Sequence, residues 1–519
     1  MIADLPDLIG RRAELTPACV ALEEVATGRI LTYAALEARA ARTAGLFAAQ
    51  GVGDGDRVAI LSRNRIAFFE ALFACARLGA ILVPLNWRMP PAELDPLIAD
   101  SAPRLLLHGG EDRAAVRRLA APPAALDLDD GYDARVDAAA PAPRRSRWAA
   151  DGIWYLLYTS GTTGRPKGVI YTYGMALANL VNIGTALGLG AADTTLTFLP
   201  HFHTAGINLH ALPTLLQGGR VLLLPGFEAE SVARLLEARR IDTFFAVPTV
   251  YQALIDHPGF ADLPLGSVRH WGCGGAPMPD ALALRCRGLG LRVCNGMGMT
   301  ETGPTAFLAA PENSWDRIGS VGKPQLLVRA RIVGEDGREA ADGEVGDLHF
   351  SGPAVTPGYW NDPEATRAAF TADGWLRSGD LARRDRDGFY WIAGRRKEMF
   401  ISGGENVYPA EVENVLAAHP AVAEAAVVAE PDPRWGEVGR AFVRLAGRAA
   451  APAAAELGAF CRERLAAYKV PASFEFVDDF PRTAAGKVQK HLLARPSSPA
   501  CGGEEEEGLG PPVAAGAAG

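Results

Sequence analysis

"YTSGTTGRPKGV", residues 158–169, packs three glycines, four serine or threonine hydroxyls, one proline and two cations into twelve positions. The apolar, strand-like "GIWYLLYTS" (152–160) leads into it, and the helical "YGMALANLVNIGTAL" (173–187) comes after it. A Gly/Ser/Thr turn between strand and helix offers backbone N–H groups and hydroxyls to an anion, and Lys167 adds a point charge. Its glycines are not spaced as in GxxxxGK[ST], so it is not a Walker A loop. Taken alone, the stretch reads equally as a mobile surface turn or as a cradle for phosphate.

Working outward, helical and strand patterns alternate. "YAALEARAARTAGLFAAQG" (33–51) has helical spacing, "DRVAILS" (56–62) reads as a buried strand, "AFFEALFACARLGA" (67–80) as a helix and "ILVPLN" (81–86) as a strand. The alternation recurs in "TLTFLP" (195–200), "RVLLLP" (220–225), "ESVARLLEARR" (230–240) and "DTFFAVP" (242–248). Such a pattern predicts a parallel α/β sheet covered on both faces. Residues 136–147 read as a surface connection. From about residue 325 short alternating segments with turns, such as "GEVGDLHFSG" (343–352) and "DRDGFYWIAG" (385–394), predict a β-rich subdomain. After Gly394, "PAEVENVLAAHPAVAEAAVVAEPD" (409–432) and "AELGAFCRERLAAY" (455–468) predict a small α+β unit. The expected fold is therefore α/β. A large N-terminal domain over 1–394 holds parallel-type subdomains and the β-rich one, a small mobile domain covers 395–495, and 496–519 is a low-complexity tail.

Length and composition agree with this. At 519 residues the chain is too long for one ordinary core. A composition 49% hydrophobic and 22% charged is that of a globular protein, and a net charge of −8 argues against a general nucleic-acid binder. Seven scattered cysteines show no CxxC or metal spacing, and "MIADLPDLIGRRAEL" lacks the basic and apolar regions of a signal peptide. No apolar run is long enough to span a membrane, so a cytoplasmic protein with reduced thiols is expected.

The loop has company in a fixed order: "LPHFHTAGIN" (199–208), "GCGGAPMP" (272–279), "NGMGMTETG" (295–303), "RSGDLARRD" (377–385), "GRRKEMFISGGENVYPAEVE" (394–413) and "PRTAAGKVQK" (481–490). Together these strings resemble the motif set of the adenylate-forming superfamily: acyl- and aryl-CoA synthetases, nonribosomal adenylation domains and luciferase. That resemblance implies a reaction in which carboxylate and ATP give acyl-AMP and pyrophosphate, followed by acyl transfer to a thiol.

The resemblance also implies roles. Thr159, Ser160, Gly161, Thr162, Thr163, Gly164 and Lys167 hold the β- and γ-phosphates. Glu301 and Thr162 take Mg²⁺, a hard cation that wants oxygen ligands. Thr300 contacts the α-phosphate, Asp380 the ribose hydroxyls, and Arg395 the ribose or a phosphate. Adenine lies against Gly274, Gly275, Ala276 and Asn295, Gly296, Met297, with Ile392 nearby; an aromatic residue is usual where Met297 stands. Lys487 bridges carboxylate and α-phosphate during adenylation. His203 flanks the acyl carboxylate, and Ala205, Gly206, Ile207, Met299, Pro304 and Phe307 surround the acyl group. Lys397 marks a hinge, about which the second domain turns to bring Gly403 and Gly404 to the pantetheine arm of CoA.

"FHTAGINLHALPTLL" (202–216) has no Asp to pair with an amino group, so an α-amino acid substrate is not expected. The apolar pocket set predicts a fatty or aromatic acid, with ATP and CoA as co-substrates. Two alternatives stay open: an adenylating enzyme that loads a separate carrier protein, and a nucleotide-binding homologue without turnover. A metal site from His201, His203 and His210 lacks a carboxylate or cysteine complement. The sequence leaves the oligomeric state open, a homodimer included.

Overall fold

A computed structural model describes residues 3–159, 166–447, 452–482 and 488–493. Two large sheets dominate it. The first has six strands in the order Lys167–Thr172, Ile153–Thr159, Ile81–Pro84, Arg57–Leu61, Leu105–His108, Ala124–Asp127, parallel except for the first pair. The second has nine. Its central six, Val293–Met297, His270–Cys273, Thr243–Ala246, Thr194–Thr197, Arg220–Leu223 and Val20–Glu24, are parallel and bordered by short antiparallel strands.

Helix Ile66–Leu78 explains how the sheets join. It is apolar nearly all round, and a helix without a polar face must be buried on every side. Its core cluster takes in Val58 and Leu82 from the first sheet and Leu22 and Leu223 from the second. The ends of the parallel strands are thereby held in fixed register, and loops beyond strand ends are where α/β folds place ligands.

The β-rich subdomain is a four-stranded antiparallel sheet of Arg329–Val333, Gly346–Ser351, Leu376–Arg384 and Tyr390–Arg395. The C-terminal unit is a five-stranded sheet built around Val422–Asp432 and Gly436–Leu445. Helices Pro409–Ala417 and Ala454–Arg462 cover it through Val412, Leu416, Leu457 and Cys461. The expected large α/β domain, β-rich portion and small α+β domain are thus all present. Among the described residues no helix is long and apolar enough to cross a membrane.

Two local readings need correction. The opening loop does not run from strand to helix: Lys167–Thr172 is a strand, antiparallel to Ile153–Thr159 with Lys167 opposite Thr159. Val169, Ile170, Tyr171 and Thr172 are β-branched or aromatic, and they extend the sheet before the helix Tyr173–Leu187 begins. Helix Ala454–Arg462 also stops short of the apolar pattern, which continues only as a 3₁₀ turn at Ala467–Lys469.

Candidate functional site

Thr159 and Lys167 frame the mouth of the loop, while Ser160, Gly161, Thr162, Thr163 and Gly164 lie outside the described residues. Lys167 Nζ sits 5.1 Å from the ring centroid of Tyr359. The hydroxyl of Tyr359 donates to Glu301 Oε1 at 2.9 Å. One aromatic side chain therefore links the cation of the loop to the carboxylate expected to hold the metal. Burial pushes the Tyr359 phenol well above its ordinary pKa, with Glu301 adding to the effect, so it remains a donor.

Backbone bonds lock this arrangement. Ile170 N donates to Gly358 O at 3.1 Å, Trp360 N to Gly168 O at 2.7 Å, and Thr356 N to Glu301 O at 2.8 Å. Thr300 and Glu301 stand on a single 3₁₀ turn and are both buried. Sequence reading missed Tyr359; the signal was an aromatic in "TPGYW" (356–360), a polar-handled ring in a loop. Glu301 offers buried, hard oxygen donors, which suit Mg²⁺. Tyr359→Phe keeps the ring over Lys167 and removes the bond to Glu301. A hydrogen bond to a charged group contributes about 1.5–3 kcal/mol. We expect kcat/KM for ATP to fall roughly 10–100-fold, measured by pyrophosphate release.

The residues expected at the nucleotide are positioned by strand pairing. Asp380 lies opposite Arg395 in the antiparallel ladder, and Arg395 Nε reaches Asp380 Oδ1 at 2.9 Å. Ile392 on the same strand packs in one cluster with Met297 and Met299. Gly274, Gly275 and Ala276 leave the end of strand His270–Cys273 beside Asn295, Gly296 and Met297. A Cβ on Gly274 would stand 2.9 Å from Gly296 O, so the two segments touch backbone to backbone.

Among the residues expected at the acyl group, Ala205–Leu209 form one π turn after His203, whose Nδ1 accepts from Ala205 N at 3.2 Å. Gly206 has no room for a side chain: a Cβ there would lie 2.2 Å from Pro200 O. Ile207 is buried in the core beneath the turn, and Phe307 packs on Tyr390 at 4.7 Å between centroids. Met299 ends the loop before Thr300, and Pro304 follows the turn.

Three buried histidines surround this turn. His201 lies against Phe68 and Phe69, and burial holds it down to about 3; the same cause holds His210 at about 3 and His270 at about 4. Among the described residues no three candidate ligands are grouped to hold a metal ion. Their folded pKa values lie below the unfolded 6.5, so the unfolded chain binds more protons as pH falls past 6.5. Stability is then present above that value and is lost toward pH 4, at about 1.4 kcal/mol per pH unit per histidine. His201→Phe fills the same aromatic niche and should visibly flatten the acid limb of a thermal-unfolding pH series.

In the C-terminal unit, Gly403 and Gly404 form a two-residue hairpin turn between Phe400–Ser402 and Glu405–Val407, with φ of +61° and +88°. Both positive angles are what such a turn demands, which explains the glycine pair before any ligand is considered. Lys397 lies just before Glu398, which pairs with Lys490 at 3.0 Å. Lys487 lies outside the described residues.

Comparison with known proteins fits this geometry. The AMP-binding enzyme family matches residues 9–360, and the AMP-binding enzyme C-terminal domain matches 411–487. The chain is 43% identical to a feruloyl-CoA synthase of Amycolatopsis sp over 485 residues, covering 93% of this chain and 97% of that protein. An indoleacetate–CoA ligase of Aromatoleum aromaticum is 37% identical, with 95% and 98% covered. Among solved structures, o-succinylbenzoate CoA synthetase from Bacillus subtilis with its acyl-adenylate intermediate superposes with a TM-score of 0.86 at 34% identity, over 95% of this chain and 99% of that one. Matched in both segments and alike over nearly its whole length, the chain belongs to the AMP-binding enzyme family.

Proposed function

We propose that the chain is an AMP-forming acid–CoA ligase acting on a hydrophobic acid, fatty or aromatic. The observation that carries this reading is the convergence of Lys167, Tyr359 and Glu301 beside Thr300, with the Asp380–Arg395 pair on the nucleotide side. The CoA-ligase names of the relatives support it.

In the first half-reaction a carboxylate oxygen bonds to the α-phosphorus of ATP as the bond to pyrophosphate breaks. Both reactants are anionic, so the work is positioning and charge neutralisation. Thr159, Lys167 and the loop between them hold the departing phosphates; Thr300 steadies the α-phosphate; Asp380 accepts from ribose hydroxyls while Arg395 orients it. Glu301, with Thr162, would hold Mg²⁺, which supplies charge neutralisation on the phosphates when bound. Lys487 neutralises charge as the carboxylate meets the α-phosphate. In the second half-reaction the CoA thiol attacks the acyl carbon and AMP leaves, with Gly403 and Gly404 flanking the pantetheine arm. A boundary at 394/395 with a hinge at Lys397 would let one C-terminal unit serve both steps in turn. The free, buried thiols Cys75, Cys273, Cys286, Cys294 and Cys461 support a cytoplasmic setting.

Pyrophosphate release from a panel of fatty and aromatic acids, with and without CoA, tests the reading. Acid-dependent pyrophosphate and CoA-dependent acyl-CoA are expected. Transfer only to a carrier protein, or no pyrophosphate from any acid, overturns it.

A further inference from the structure

The helix Asp280–Gly288 starts without a cap of its own. Its N-cap position is Pro279, which makes no side-chain cap bond, and a helix start leaves its first backbone N–H groups unsatisfied. The missing acceptor comes from the C-terminal unit. Asp280 N donates to Asn414 Oδ1 at 3.1 Å, and Asn414 Nδ2 donates back to Asp280 Oδ2 at 3.0 Å. Asn414 stands on the helix Pro409–Ala417, 134 positions away. Asparagine is among the best N-capping residues, and here it caps a helix of the large domain from outside that domain.

Both partners adjoin segments with expected roles. Asp280 follows Gly274, Gly275 and Ala276 by four residues, and Met278 between them is anchored in the core, its Sδ 3.6 Å from Cys273 Sγ. A Cβ on Gly319 would stand 3.3 Å from Asp280 Oδ1 and 3.7 Å from Trp391 Cδ1. Asp280 therefore lies a glycine's width from the strand Tyr390–Arg395, which leads into the proposed hinge. On the other side, Glu413 precedes Asn414 and pairs with Lys490, three positions after Lys487.

The rest of this boundary is open and polar. A cleft of about 570 Å³ separates Asp336 and Glu344 of the β-rich subdomain from Met399, Asn406 and Tyr408 of the C-terminal unit. At its edge Arg396 grips Asp347 through Nε at 2.5 Å and Nη2 at 2.7 Å. Polar pairs around a cleft can part and re-form, whereas a large apolar interface holds its partners fixed. In the arrangement so fastened the Gly403–Gly404 turn is exposed: Ile401 beside it is 50% exposed, and a Cβ on Gly404 would meet nothing within 4 Å. The turn proposed to flank the pantetheine arm thus faces open space.

We propose that Asn414 and Asp280 are positioning residues, whose paired hydrogen bonds hold the C-terminal unit in the arrangement for adenylation and part before thioester formation. The proposal rests on the acid–CoA ligase reading and deepens it by naming what fastens the unit between the two steps.

Two variants and two readouts test it. Asn414→Leu keeps the size of the side chain and removes both bonds. Asp280→Asn keeps the backbone donor and a side-chain carbonyl that accepts. Arg395, Arg396 and Lys397 give trypsin three adjacent sites at the boundary, so cleavage there reports release of the unit. Asn414→Leu, folded by circular dichroism, is expected to be cut there several-fold faster than wild type. In single-turnover assays its ratio of adenylation to thioesterification from supplied acyl-AMP should fall about 5–10-fold, the effect of losing a helix cap and the bond returned to it. Asp280→Asn should stay close to wild type in both. Unchanged cleavage in Asn414→Leu overturns the proposal. Faster cleavage with an unchanged ratio also overturns it, because the pair would then fasten the units without serving either step. Absence of pyrophosphate from every acid would sink the ligase reading, while cleavage would still decide whether the pair holds the units together.

Discussion

Lys487→Ala should abolish acyl-adenylate formation while leaving thioester formation from supplied acyl-AMP close to normal. Removing one group that stabilises developing charge typically costs about 10²–10³ in rate. In its proposed role the lysine meets two anions at once, so the upper end is expected. The described residues that flank it in sequence are paired: Arg482 and Val488 form an antiparallel bridge, and Gln489 N donates to Pro481 O at 2.7 Å. The described residues on either side of it, 481–482 and 488–489, are therefore held against each other. Single-turnover assays of each half-reaction check the split. If both halves fall equally, Lys487 serves the fold or both steps, and the division of labour between Lys487 and the Gly403–Gly404 turn is wrong.

Much of the architecture was legible because it rests on periodicity. Helix Tyr173–Leu187 and strands Arg57–Leu61 and Ile81–Pro84 stand where apolar spacing places them. Strand Lys167–Thr172 was missed because the glycine-rich loop before it draws attention to flexibility, and six residues of mixed polarity show no clean alternation. The site was legible only as motifs. Asp380 and Arg395 are fifteen positions apart, and only antiparallel pairing sets them side by side. The link of Tyr359 to Glu301 was hidden for the same reason: it spans 58 positions and depends on a segment bridged to Val169. The His270–His210 pair likewise arises from tertiary packing of a strand against a turn, which no local pattern encodes.

Lys490→Met should destabilise the C-terminal unit by about 3–5 kcal/mol, the usual consequence of stranding a buried charge. Lys490 Nζ lies 2.7 Å from Glu413 Oε1 and 3.0 Å from Glu398 Oε2. Burial works against its ammonium, yet Glu413 and Glu398 together raise its pKa above the ordinary lysine value. Glu413 also accepts from Val427 N at 2.7 Å, tying the triad into strand Val422–Asp432 of the sheet. Burial pushes the Glu413 carboxyl upward and Lys490 opposes it, so loss of the lysine leaves burial unopposed. The double variant Lys490→Met/Glu413→Gln removes both charges and should recover most of the stability, a strong non-additivity for residues in contact. Denaturant unfolding of the two single variants and the double one measures it, and simple addition of the two single costs would show that the pair is not coupled. Glu398 supplies a second, functional readout, because it adjoins the proposed hinge residue Lys397. Glu398→Gln keeps Glu413 paired, so the unit should remain folded while the tie between the proposed hinge and Lys490 is weakened. The ratio of adenylation to thioesterification rates should then shift by several-fold, whereas a tie that matters only for stability would leave that ratio unchanged.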